Sequence, residues 1–168
     1  MKMWMGVLAV ALLTLAGTAR AKDATPRFKT VEAKHFKTAE GVELSPAFAD
    51  YFYAELRNEL TKAKLAADVI GEGEAVDDAD APKSAIITGT ITEYKKGNVV
   101  TAKLIGFGAG MRSLKMDGEV LRRNDNQSLC VLHVHVKVMP TWKEEIMAKA
   151  AAKQMVNEMK KTLKGEGQ

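Results

Sequence analysis

Two neighbouring stretches of this sequence alternate apolar and polar side chains almost without error, and no other feature restricts the possible fold as strongly. Between Ser113 and Arg122, Leu114, Met116, Gly118 and Val120 share one side, with Lys115, Asp117 and Glu119 on the other. Between Leu129 and Val138, Cys130, Leu132, Val134, Val136 and Val138 oppose Val131, His133, His135 and Lys137. Successive side chains on a strand point to opposite faces, so each stretch makes a strand with one buried and one wet face. The polar run "RRNDNQS" between them reads as a hairpin turn, which makes the two strands antiparallel neighbours. Ala85 to Tyr94 carries a third strand pattern, and looser alternation from Phe28 to Phe36 is expected to give an edge strand. Pro140, which lacks a backbone donor, ends the sheet.

A sheet that is apolar on one face needs a second layer to cover it. Phe48, Phe52, Leu56 and Leu60 recur every four residues, and Tyr53 and Ala63 widen that stripe. Ahead of them, Ser45 can accept a bond from an orphan amide and Pro46 has no amide to leave unpaired, so a helix is expected from about 46 to 66. Trp142 to Leu163, rich in alanine, lysine, glutamate and methionine, sets Ala152, Val156, Met159 and Leu163 at helical spacing and predicts a second long helix. The run "GEGEAVDDADAP", 71 to 82, offers nothing to bury and reads as a solvated loop. Its aspartates lack the alternating order and central glycine of a calcium-binding EF-hand loop. The expected fold class is α+β: an antiparallel sheet of about four strands with two long helices packed on one face.

The first 21 residues stand outside that domain. Lys2 precedes an apolar run from Trp4 to Leu15, and Ala19-Arg20-Ala21 is a small-x-small cleavage site, the pattern of a cleaved signal peptide. The run is shorter than the roughly 20 apolar residues needed to span a bilayer core. Thr18 occupies the place where a bacterial lipoprotein would carry its lipid-bearing cysteine. The expected address is therefore the periplasm or the exterior, without lipidation. Removal of 21 residues from 168 leaves 147, residues 22–168, a length suited to a single domain. It also removes Lys2 and Arg20, lowering the formal charge from +4 to +2, too little for a nucleic-acid binder. Cys130 is the only cysteine, so no intrachain disulfide can form.

The stretch "LIGFGAGMRS", 104 to 113, resembles a phosphate cradle at first sight. A P-loop, however, needs lysine and serine or threonine after its last glycine and then a helix, whereas Gly110 is followed by Met111-Arg112 and a strand. A dinucleotide fingerprint fails as well, because Met111 stands where its third glycine belongs. No nucleotide and no cofactor are expected here. Gly106, Gly108 and Gly110 instead suit an extended or bulged segment in which the backbone bends or is closely approached.

The succession "ITGTITEY", then "LIGFGAGMRSLKMDGEVL", then a hydrophobic strand and a basic, alanine-rich helix resembles the bacterial envelope family called domain of unknown function 4410. The resemblance runs from about Phe28 to the C-terminal helix, and its most specific part is the Leu-x-Gly-Phe-Gly-x-Gly loop. It implies an exported α+β domain, often carried by a lipoprotein, with no established activity. It supplies no catalytic residue to carry over, and Thr18 departs from its lipoprotein members.

The residues themselves show no catalytic constellation. There is no Gly-x-Ser-x-Gly elbow or comparable nucleophile with its base. Cys130 falls on the apolar strand face, where a thiol stays protonated and inert. His133 and His135, two apart on one strand, could both reach a metal, but a closed site needs three or four ligands and His35 is the only other histidine. Between Glu93 and Asp117 there is no acidic residue, while Lys95, Lys96, Lys103, Arg112 and Lys115 surround Val99, Val100, Leu104, Ile105 and Phe107. A segment both basic and apolar suits an anionic membrane surface or an acidic partner, unless Ile105 and Phe107 tuck into the core. The expected function is that of an exported, non-catalytic envelope protein. It would bind an envelope protein or anionic membrane through Lys95, Lys96, Lys103, Ile105, Gly106, Phe107, Gly108, Gly110 and Arg112. The alternative is a periplasmic small-ligand or metal-binding protein using His133 and His135.

Overall fold

The computed structural model describes residues 26–105 and 110–165; the expected signal peptide, together with Gly106, Phe107 and Gly108, lies outside them. The described chain runs β1 (Phe28–Ala33), β2 (Lys37–Thr38), α1 (Pro46–Ala63), β3 (Ala66–Ile70), β4 (Ala85–Lys95), α2 (Val99–Ile105), β5 (Arg112–Arg122), β6 (Ser128–Val138) and α3 (Glu144–Gly165). A 3₁₀ turn at Ala81–Lys83 precedes β4. None of the described helices is long and apolar enough to cross a membrane.

The two alternating stretches form the expected hairpin. Met116 lies opposite Val134 and Asp117 opposite His133, with Leu114, Met116, Val120, Leu132 and Val134 buried on one face. Cys130 is buried on that same face. α1 lies against β1 and β3, α3 lies against β5 and β6, and the helices pack on each other. Ser45 caps α1 by accepting from the Phe48 amide, and Phe48, Phe52, Leu56 and Leu60 fill its inner side. α3 contributes Met147, Met155 and Met159 between small Ala148, Ala151 and Ala152, which let its backbone come close to the sheet. Each fully buried large side chain contributes roughly 1.5–3 kcal/mol. Glu144 ties the layers at one end: its carboxylate accepts from the Ser45 hydroxyl and from Tyr94 Oη at 3.3 Å.

The sheet corrects two expectations. It has six strands, in the order β3-β1-β4-β5-β6 with β2 beside β4, and the β1–β3, β1–β4 and β2–β4 pairings are parallel. Only β4, β5 and β6 form an antiparallel meander. The strand expected at the edge, β1, is internal. The added edge is β3, which returns through α1 as a parallel crossover. Its sequence, Ala-Ala-Asp-Val-Ile, has too little alternation to announce itself, and the helix expected to about 66 overlapped its start. α1 in fact stops at Ala63, because Lys64 turns left-handed with φ 52°.

A buried ion pair fastens the β5–β6 turn to the parallel part of the sheet. Arg123 donates to Glu32 of β1, whose side chain is only 5% exposed, and the other Glu32 oxygen accepts from the Gly73 amide at 3.0 Å. Within the turn, Asn126 is left-handed (φ 56°) and its amide donates to the Arg122 carbonyl at 2.9 Å.

Candidate functional site

The expected partner-binding residues run from the last residue of β4, Lys95, through the connection to the first residue of β5, Arg112. The described part of this connection contains a short helix, α2, that the sequence pattern does not predict; the extended or bulged segment expected at Gly106 and Gly108 lies outside the described residues. Asn98 starts it: its side-chain oxygen accepts from the Val100 and Thr101 amides at 2.9 and 3.2 Å, satisfying donors that a first helical turn leaves open. The base is a close backbone crossing, with the Asn98 amide donating to the Gly110 carbonyl at 2.8 Å. Gly97 and Gly110 both have φ +74°, and a Cβ on Gly110 would stand 2.3 Å from the Asn98 carbonyl oxygen. Glycine at 110 is thus required by space as well as by backbone conformation.

The cations differ from one another. Lys95 pairs with Glu93 at 3.3 Å, and Lys115 reaches the other oxygen of that carboxylate at 2.9 Å, which holds the Glu93 carboxyl below its ordinary range. Lys96 and Lys103 are exposed and make no ion pair among the described residues. Arg112 is engaged by the fold, donating to the carbonyls of Lys96 at 3.2 Å, Trp142 at 2.9 Å and Pro140 at 3.4 Å. Its guanidinium therefore clamps the base of α2 to the junction between β6 and α3.

The described large apolar side chains of α2, Val99, Val100 and Leu104, are exposed. Val100 is 63% and Leu104 80% exposed, and Met139 and Trp142, at the junction that Arg112 reaches, are also exposed. Ile105 belongs to the helix, but its side chain lies outside the described set, as does Phe107.

His133 and His135 both project from the wet face of β6. His133 Nδ1 lies 2.7 Å from Asp117 Oδ1, and His135 stands opposite Lys115. His35 is engaged elsewhere, stacked on Tyr53 and 2.8 Å from Glu72. Bonds from the His35 backbone amide and then its ring lower the Glu72 carboxyl. Among the described residues no group of three or more His, Cys, Asp or Glu side chains is placed to hold a metal.

Sequence reasoning missed the Glu32–Arg123 pair and the exposure of Met139 and Trp142. No local pattern could have revealed the pair, because its partners lie far apart in sequence. Trp142, where the sequence pattern predicts the helix to start, precedes α3 by two residues.

The sequence model of the family described as "Domain of unknown function (DUF4410)" matches residues 29–138, from β1 through β6, and ends before α3. The fold is similar to two structures of the PelC dodecamer from Paraburkholderia phytofirmans. One superposes with a TM-score of 0.59 at 11% identity, covering 81% of this chain and 89% of that one. The other gives 0.58 at 12% identity, covering 79% and 88%. No curated protein matches the sequence. The chain belongs to the family of domain of unknown function 4410.

Proposed function

We propose that this member of the family is an exported, non-catalytic envelope protein that binds a protein or membrane partner through the connection between β4 and β5. The observation that carries this reading is the exposure of Val100 and Leu104 on a helix whose start is held by Asn98, Gly110 and Arg112. Folding leaves these side chains in water, and contact with a partner would remove them at roughly 25 cal/mol per Å² of apolar surface. Lys96 and Lys103 add positive charge without competing carboxylates, each nearby cation contributing up to about 1 kcal/mol against an anionic membrane. The signal-peptide pattern at residues 1–21 supports a periplasmic or secreted address, and Thr18 speaks against a lipid anchor.

The test is photocrosslinking in intact envelopes, with a photoreactive residue at Leu104 and a control at Asp78. Capture of an envelope protein or lipid at Leu104 alone supports the reading. Equal capture at both positions, or none at either, overturns it. The PelC structures are dodecamers, so a crosslinked product of twice the chain mass would identify a second copy as the partner.

A further inference from the structure

At the opposite end of β5 from α2, an open cleft of about 470 Å³ lies between the start of β1, the 3₁₀ turn and the β5–β6 turn. Among the described residues its lining contains four cations, Arg27, Lys29, Lys83 and Arg122, and no carboxylate; Arg27 also donates to the Leu163 carbonyl. Phe28 and Leu129 give it an apolar floor. None of these cations belongs to the α2 connection.

The charges are set in place by the backbone. The Ser84 hydroxyl donates to the Asp80 carbonyl at 2.8 Å and the Lys83 amide to the same oxygen at 3.0 Å, closing the 3₁₀ turn. The Ser84 carbonyl then accepts from the Arg123 amide at 3.0 Å, which fixes that turn beside the end of β5. Lys83 is thereby held near Arg122. The Lys83 ammonium has no ion pair or side-chain hydrogen bond among the described residues. Lys29 is ion-paired with Asp80 at 3.6 Å, and Arg122 uses Nη1 on Asp125 at 3.0 Å, its other donors having no hydrogen bond among the described residues.

We infer that this cleft binds a phosphate-type oxyanion. A guanidinium fork beside lysine ammonium groups matches the geometry and charge of phosphate. The cleft volume lies within the range of small-ligand sites, and Phe28 and Leu129 would accept an apolar body joined to the anion. Free phosphate and the phosphate of a lipid headgroup share this chemistry.

The experiment uses protein produced from the full chain, at constant ionic strength set with chloride. Inorganic phosphate is titrated calorimetrically, and flotation is measured with phosphatidylglycerol vesicles and with phosphatidylcholine vesicles. The double variant Lys83→Gln/Arg122→Gln is compared with Lys149→Gln/Lys153→Gln, which removes the same charge from the exposed side of α3. Loss of two charge-assisted bonds should weaken binding by about tenfold or more in the first variant, while the second stays near the parent. Calorimetric binding of phosphate without flotation assigns the site to the free ion. Flotation that phosphate reverses assigns it to a headgroup. The inference is overturned if the parent protein binds neither probe, or if both double variants lose binding equally. Should the first double variant fail to fold, Lys83→Gln alone, at an exposed position whose ammonium has no partner among the described residues, must still weaken binding measurably.

Discussion

The antiparallel meander has two connections, and they are built in opposite ways. From β5 to β6 the chain turns in a few polar residues closed by the Asn126 amide on the Arg122 carbonyl, and Arg123 anchors it outward, through its amide to the Ser84 carbonyl and through its guanidinium to buried Glu32. From β4 to β5 it makes a long excursion whose base is held mainly by backbone contacts at Gly97, Asn98 and Gly110 and by the Arg112 clamp. The short turn serves register, because a slip of one residue would move every apolar side chain to the wet face. The long connection keeps Val100 and Leu104 in water. Within one sheet, the turn that needs only to reverse the chain is polar and anchored, while the one proposed to bind retains apolar surface.

That contrast can be broken at the anchored end first. Arg123→Ala would leave Glu32 buried without its cation and should cost about 3 kcal/mol or more in urea unfolding. A loss within error would mean that the turn is not fastened through this pair. At the other end, Gly110→Val places a side chain against the Asn98 carbonyl in a backbone conformation it disfavours, for a loss of about 2 kcal/mol. Amide exchange should then speed up at Asn98 and Ala102 but not at Asn126. Leu104→Asp should change stability by no more than about 0.5 kcal/mol while abolishing partner capture by a photoreactive residue placed at Val100. A large stability loss would show that Leu104 belongs to the core.

The smallest effect concerns acid. Asp125 and Asn98 play similar parts, each accepting from backbone amides just ahead of it, but only the carboxylate titrates. The Gln127 amide, and then Arg122, hold the Asp125 carboxyl below its ordinary value of 3.8. A depressed folded-state pKa contributes stability that is present above the ordinary value and is lost as pH falls through the folded one. Asp125→Asn should therefore flatten part of the fall in Tm below about pH 4, and Asn98→Ala should lower Tm equally at acidic and neutral pH. If the two variants show the same pH profile, the turn is not held by the carboxylate.

The hairpin, the helix starting at Ser45-Pro46 and the burial of Cys130 were legible because each is encoded locally. Period-two alternation, a cap residue and a proline report on neighbours close in the chain. The basic, acid-free segment from Tyr94 to Met116 was legible for the same reason, but the helix within it was not: Val99 to Ile105 contains two valines and a threonine, which favour a strand by propensity. Asn98 and the pinned glycines override that preference.

The sequence by itself determined which face of β5 and β6 is buried and which residues of α1 and α3 cover it, since periodicity fixes the side a residue takes. It also determined membership in the family, through motifs contiguous in the chain. Only the tertiary structure decided that β1 is internal, that β3 joins it in parallel, that Glu32 meets Arg123, and that Lys83 stands across a cleft from Arg122. Those are contacts between residues far apart in sequence, selected by how the crossover and the turns close on one shared core, and no local pattern records them.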